Sequence, residues 1–198
     1  MRRIIIAITG ASGAVYGIRA LELLRGIPDV ETHLVMTKAA RATIGYETDR
    51  SVAEVRALAD VVHSENDLGA SISSGSFRTA GMLVAPCSVK TLSGIASSYD
   101  ESLVVRAADV VLKERRRLVL LLRETPLHAG HLRLMSDVTA SGAIVMPPVP
   151  AFYTRPASVA DIVDHTVGRA LDLLDVDTDA VQRWTGDRGP DEGTVHRI

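Results

Sequence analysis

Ile4-Ile5-Ile6-Ala7-Ile8-Thr9-Gly10-Ala11-Ser12-Gly13 decides the fold: an unbroken apolar run that stops at a glycine-rich turn. A strand with no polar alternation is one buried on both faces, the habit of parallel sheets. Beyond the turn, Val15, Ile18, Leu21 and Leu24 recur at helical spacing. The same unit repeats outward. Apolar runs at Thr32 to Met36, Met82 to Ala85, Leu118 to Leu122 and Ala143 to Met146 stop at Thr37, Ser88, Glu124 and Pro147-Pro148-Val149-Pro150. Val61-Val62 reads as a further short strand. Helices are predicted over Lys38 to Ile44, Val52 to Leu58, Val89 to Ser97 with Ser88 as N-cap, Leu103 to Arg116, Leu127 to Thr139 and Asp161 to Leu174. This alternation predicts a single α/β domain, a parallel sheet with helices on both faces. In such a sheet ligands bind outside the carboxyl ends of the strands. Ser12, Thr37, Ser88 and Glu124 are therefore expected on one rim, around a phosphate-bearing small molecule such as a nucleotide or flavin.

The 198 residues suit one domain, 46% apolar and 23% charged. Only 4% are aromatic, so the core must rest on Val, Ile, Leu and Ala. A net charge of −2 leaves no electrostatic footprint for nucleic acid. The basic run Lys113-Glu114-Arg115-Arg116-Arg117 reads as a solvated helix end, where cations suit the dipole. The single cysteine, Cys87, excludes a disulfide framework and any CxxC motif, and reads as a small packed residue. No apolar stretch reaches the roughly 20 residues of a membrane helix. Met1-Arg2-Arg3 runs straight into the first strand without the apolar region of a signal peptide, so the cytoplasm is the expected compartment.

Several constellations could carry chemistry. The turn at Gly10 to Gly13 offers backbone N–H groups at a helix N-terminus, a ready anion site, or it is simply a structural turn. Gly10, Gly13 and Gly17 do not have dinucleotide spacing, and Thr37-Lys38 stands where an acidic ribose partner would be. No Gly-Lys dipeptide exists, which excludes a P-loop. Arg106 and Lys113, seven residues apart, return to nearly one helix face and either grip a phosphate or stay solvated. Glu124, just past a buried strand, is either working or paired with Arg123. His128 and His131 share a face, but no third ligand is apparent and no metal site is expected. Tyr153 and Arg169 bracket the last helix, and Trp184, the only tryptophan, comes after it.

From Arg3 to about Trp184 the chain resembles the flavin prenyltransferases of the UbiX type. The resemblance is carried by Thr9-Gly10-Ala11-Ser12-Gly13-Ala14-Val15-Tyr16-Gly17, Thr37-Lys38-Ala39-Ala40, Glu47-Thr48-Asp49, Ser74-Gly75-Ser76-Phe77 and Ala85 to Leu92. Arg106-Ala107-Ala108-Asp109-Val110 with Leu112 to Arg116, Arg123-Glu124-Thr125-Pro126-Leu127 and Met146 to Tyr153 complete it. It implies a flavodoxin-like (Rossmann-like) three-layer domain over residues 1–184 and a homododecamer with sites at subunit interfaces, while the glycine-rich, charged stretch at 185–198 lies outside the resemblance and reads as a C-terminal tail. It also implies a metal-independent transfer of a dimethylallyl group from dimethylallyl phosphate to N5 and C6 of reduced FMN. The prenylated FMN would serve a UbiD-type decarboxylase.

By the same resemblance, FMN falls to Gly10, Ala11, Ser12, Thr37, Ser88, Val89, Lys90, Thr91 and Arg123. Arg106, Lys113, Tyr153 and Arg169 surround the donor phosphate, and Trp184 walls the pocket. Glu47 and Glu124 are the acid/base candidates, with Ser12 and Lys113 also catalytic. Two rivals share the fold. An FMN-dependent decarboxylase of a cysteine-containing peptide needs a Pro-x-Met-Asn motif, and the only asparagine, Asn66, stands outside one. A non-catalytic flavin carrier would not require paired cations and carboxylates.

Overall fold

The computed structural model describes residues 1–181. Six strands form one sheet: β1 (Arg2–Ile8), β2 (Val30–Met36), β3 (Val61–His63), β4 (Gly81–Cys87), β5 (Arg117–Leu122) and β6 (Ile144–Val145), in the order β3-β2-β1-β4-β5-β6. Every pairing is parallel. Setting aside the three-residue edge strand β3, the order is that of flavodoxin, 2-1-3-4-5 when renumbered; with it, the order is the Rossmann one. Both orders change direction beside β1, here between β1 and β4.

The helices are α1 (Ala14–Arg25), α2 (Lys38–Glu47), α3 (Val52–Arg56), α4 (Val89–Ala96), α5 (Leu103–Lys113), α6 (Ala129–Ala140) and α7 (Val159–Asp172). Alternation along β1 splits the core in two. Ile4, Ile6 and Ile8 pack with α1 and α7 on one face, while Ile5 and Ala7 pack with α4 and α5 on the other. The sheet is thus covered on both sides, which is why its strands read as continuous apolar runs.

Several helix ends differ from expectation: α2 runs on to Glu47 rather than stopping at Ile44, α3 stops at Arg56 rather than Leu58, and α7 spans Val159–Asp172 rather than Asp161 to Leu174. α5 stops at Lys113 rather than Arg116, because Arg115 takes a left-handed φ of 55°. Arg116 N–H then donates to Val111 O (2.9 Å) and Arg115 N–H to Leu112 O (2.9 Å), closing the helix in the Schellman manner. α6 begins at Ala129 rather than Leu127, since His128 caps it by accepting from Gly130 N–H at 3.0 Å.

A parallel sheet has two chemically different edges, and the return helices show which residues lie at which. α5 starts at the carboxyl edge, where Leu103 N–H donates to Glu65 O (2.8 Å) just past β3. It ends at Lys113, shortly before β5 begins at Arg117 opposite Gly81, the first residue of β4. The end of α7 also lies at the amino edge: Arg2 donates to Leu174 O and Asp175 O, both at 2.9 Å, and Arg117 to Leu173 O at 3.0 Å. At ~3.3 Å per residue, the six- and seven-residue strands put about 20 Å between the edges.

Candidate active site at the carboxyl edge

A cavity of about 1010 Å³ opens at the carboxyl edge beside the β1/β4 switch point. Gly10 from the β1 turn, Thr37 to Ala39 after β2, and Ser88, Lys90 and Thr91 after β4 form one side. Gly10 is required by close approach: a Cβ there would stand 2.3 Å from the Ala39 Cβ. Thr37 caps α2, its Oγ1 accepting from Ala40 N–H at 3.1 Å. Ser88 caps α4, accepting from Thr91 N–H at 3.3 Å, and its own N–H donates to the buried Thr9 Oγ1 at 2.8 Å. Thr37 and Ser88, which line the cavity, are therefore held at the strand ends by their own hydroxyls, each accepting from a backbone N–H of the following helix. Lys90 stands at the mouth, 86% exposed and 3.9 Å from Glu101.

The other wall comes from residues the sequence reading did not select: Glu65 and Asn66 after β3, and Ser97, Tyr99, Glu101, Ser102 and Val105 around the α4–α5 loop. Asn66 is the sole asparagine, a local oddity that could have marked it. For Tyr99 and Glu101 the only signal was a polar loop preceding an amphipathic helix. Val89 does not line the cavity; it packs against the second core cluster. Ala11 lies in the turn between Gly10 and Ser12.

Two N–H groups at the start of α1, those of Gly13 and Ala14, are already taken. Glu47, the last residue of α2, accepts from Gly13 N–H at 2.8 Å and Ala14 N–H at 3.1 Å through Oε2. Burial works to raise its pKa. Bonds from the Ser12 hydroxyl and from the Gly13 and Ala14 N–H groups, with the Arg123 charge, outweigh that and hold the carboxyl below its ordinary value. Ser12, Glu47 and Arg123 thus form one cluster at the carboxyl edge, and none of the three lines the cavity. Arg123 also faces Tyr16, whose phenol burial raises despite that cation. Glu124 is exposed and accepts from its neighbour Thr125 N–H at 2.9 Å; no bond joins it to Arg123 among the described residues. Of the two readings of Glu124, the pairing with Arg123 is therefore not seen: β5 ends at Leu122, and the chain has already emerged.

Of the expected phosphate cations, Arg106 lies behind the α4–α5 loop that walls the cavity, while Lys113 and Arg169 lie at the other edge. Arg106 and Lys113 do share a face of α5, but each is held by its own chain's acids. Arg106 bonds Asp100 (3.0 Å) and Asp109 (3.3 Å), and Lys113 bonds Glu114 (2.7 Å). Lys113 stands at the amino edge, against Gly75, where an added Cβ would meet its Nζ at 2.8 Å. The basic run is more than a solvated helix end, since Arg116 donates to Gly75 O (2.8 Å) and Phe77 O (3.0 Å). Arg169 pairs with Asp172 at 2.7 Å near the end of α7. Tyr153 stacks edge-on against His165 at 5.8 Å, one turn from Arg169, so those two predicted residues border one stretch of α7. Within one chain, Lys113 and Arg169 are at the edge opposite Ser12 and Glu124. Trp184 lies outside the described residues. His128 and His131 rings are 3.7 Å apart, and no metal-sized group of three such ligands occurs among the described residues. Nor is any helix there long and apolar enough to cross a membrane.

Known proteins share both this sequence and this geometry. The sequence model of the Flavoprotein family matches residues 1–171. The flavin prenyltransferase UbiX of Escherichia coli K12 is 59% identical over 188 residues, 94% of this chain and 100% of that protein. AnUbiX, solved in complex with FMN and dimethylallyl pyrophosphate, superposes with a TM-score of 0.92 at 57% identity, over 94% of this chain and 99% of that one. A dodecameric FMN-dependent UbiX-like decarboxylase from Escherichia coli O157:H7 gives 0.91 at 52% identity, over 93% and 100% of the two chains.

Proposed function

The chain belongs to the Flavoprotein family, among the flavin prenyltransferases of the UbiX type, and we propose that it joins a dimethylallyl group to FMN for use by a UbiD-type decarboxylase. The observation that carries this is the carboxyl-edge cavity. It is large enough for a nucleotide-sized ligand and walled by capped hydroxyls, in a fold 57% identical to one solved with FMN and an allylic ester. The fit rests on its chemistry: hydroxyls at Thr37, Ser88 and Thr91 for a ribityl phosphate, and small residues at Gly10, Ala39 and Ala42 for a flat ring.

Reduced FMN, when bound, supplies nucleophilic N5 and C6 positions. The protein's part is to seat it and to manage the charge of the ester. As the allylic C–O bond breaks, negative charge grows on the phosphate, and preorganised cations are the strongest available stabilisers. Arg106, Lys113 and Arg169 with Tyr153 are assigned that role, and Glu47 holds Ser12 beside Arg123. Gly10 to Ser12, Ser88 to Thr91 and Arg123 are assigned to FMN. Glu124, solvent-facing in one chain, is the proposed acceptor of the ring proton. Trp184 is assigned to the pocket wall.

Because Lys113 and Arg169 lie at the edge opposite the cavity, a complete site takes both from neighbouring subunits of a homododecamer, the assembly named for the UbiX-like neighbour. We take residues 1–184 as the flavin domain, 185–198 as a tail, and the cytoplasm as the compartment, in keeping with a lone cysteine. Incubating the full chain with reduced FMN and either dimethylallyl phosphate or the pyrophosphate, then weighing the flavin, tests the reading. A gain of one prenyl unit is expected, with release of phosphate from the monophosphate donor or pyrophosphate from the other; a flavin of unchanged mass with both donors refutes it and favours a carrier.

A further inference from the structure

Arg106 does not hang free in solvent. Its Nε donates to Ser73 O at 3.1 Å, and Nη1 donates to Asp100 Oδ2 at 3.0 Å and Asp109 Oδ2 at 3.3 Å. Nη2 makes no bond among the described residues. A guanidinium is a rigid planar fork, so three acceptors on two of its nitrogens fix its plane and leave one nitrogen to face outward.

The three anchors have different attachments. Asp109 lies one turn along the same helix, and Ser73 closes the 3-10 turn Ser71–Ser73 packed against α5. Asp100 belongs to the α4–α5 loop, between Tyr99 and Glu101, both of which line the flavin cavity. That loop is braced by Tyr99 N–H to Gly94 O (2.9 Å) and by the left-handed Ser98, φ 49°. The other oxygen of Asp100, Oδ1, is buried with no hydrogen-bond partner, so Arg106 is what holds the carboxylate in place. Two carboxylates beside one guanidinium also weaken its pull on an anion. A second acid is therefore a disadvantage for phosphate binding unless orientation outweighs charge.

We propose that Asp100 is a positioning residue for the donor phosphate. It sets the Arg106 guanidinium so that Nη2 faces the phosphate, and it ties that orientation to the loop that walls the flavin cavity. The inference rests on the assignment of Arg106 to phosphate made above.

The test uses full-length wild type, Asp100→Ala, Asp100→Asn and Arg106→Ala with its Asp100→Ala double variant. Binding of inorganic phosphate is read by calorimetry, FMN affinity by flavin fluorescence, and donor KM and kcat by the mass assay. Asp100→Ala should weaken phosphate and raise donor KM about tenfold, the scale of one bond to a charged group. Its FMN affinity should stay within about twofold and kcat within about threefold, both under the tenfold that one bond represents. Asp100→Asn keeps an oxygen for Nη1 and should retain phosphate affinity to within about threefold, the loss expected when a charged acceptor becomes a neutral one. In the Arg106→Ala background the Asp100 change should add nothing. Phosphate bound as well or better by Asp100→Ala would make Asp100 a mere charge damper and overturn the proposal. So would an equal loss without Arg106, or a joint loss of FMN and phosphate in both Asp100 variants. If wild type transfers no prenyl group, the functional reading fails, while the phosphate titrations still decide for or against Asp100.

Discussion

Gly17 and Gly45 both sit inside helices, yet their replacement by alanine should act in opposite directions. A Cβ on Gly17 of α1 would stand 2.3 Å from the Ala85 carbonyl oxygen and 2.7 Å from Ile8 Cγ1, where ordinary contact begins at 3.4 Å. The shortfall to Ala85 is 3.4 − 2.3 = 1.1 Å, against backbone of a central strand that cannot yield. The helix must lift instead, and it carries Ala14, Ile18, Leu21 and Leu24 from the core with it. A gap of ~1 Å forfeits up to about half of each dispersion contact. Overpacking costs about 1–3 kcal/mol, and a clash with backbone belongs at about 3. Better helix propensity returns about 1 kcal/mol. The net loss is about 2 kcal/mol, a fall of roughly 4–8 °C in Tm for a chain of this length. At Gly45 of α2 an added Cβ meets nothing within 4 Å, so only the propensity gain remains. Gly45→Ala should raise Tm by roughly 2–4 °C, the equivalent of about 1 kcal/mol. Circular dichroism melts of the full-length proteins at equal concentration give the answer, since assembly makes Tm concentration-dependent. A Gly17→Ala protein melting at or above wild type would refute the packing argument.

Ser12→Ala and Lys113→Ala, each inactive alone, should regain about a quarter of wild-type activity when refolded together, because a random mixture leaves that share of shared sites intact; no recovery would place both residues in one chain's site. Glu47 titrates below its ordinary value, so its stabilisation is full above the unfolded pKa of about 4.3 and fades as pH falls through the folded one. Glu47→Gln should therefore cost about 1 kcal/mol at pH 7, the scale of a surface helix cap. That difference should shrink as pH falls below about 4, where the unfolded carboxyl begins to protonate, as compared by denaturant midpoints; a constant gap would contradict the capping role. Burial pushes the Cys87 thiol up to about 12, so iodoacetamide at pH 8 should label no native protein and one cysteine after unfolding. Native labelling would show that the strand end opens.

The sheet was legible because burial on both faces leaves unmistakable runs; Ile4 to Ile8 and Leu118 to Leu122 are core throughout. The end of α5 was not, since Arg116 is turned toward Gly75 and Phe77, partners some 40 residues earlier that no local pattern reveals. The hydroxyl side of the cavity could be read from the polar residue that terminates each apolar run, as Thr37 and Ser88 show. The Glu65, Asn66 and Tyr99 side could not, because it depends on the chain after β3 meeting the α4–α5 loop across β2 and β1, a matter of strand order. Glu47 closing on Gly13 is a contact of the same kind, decided by packing of α2 against α1. Resemblance supplied Lys113 and Arg169 as site residues; only the course of α5 and α7 reveals that one chain keeps them remote from its own cavity.

That separation bears on how much protein a cell must make. If a lone polypeptide holds half of two different reaction chambers and the whole of none, turnover per molecule is not constant but climbs as copies find one another. Output would stay negligible until expression crosses a threshold, and would then rise steeply. Specific activity that holds steady through dilution to where the particle falls apart would contradict this.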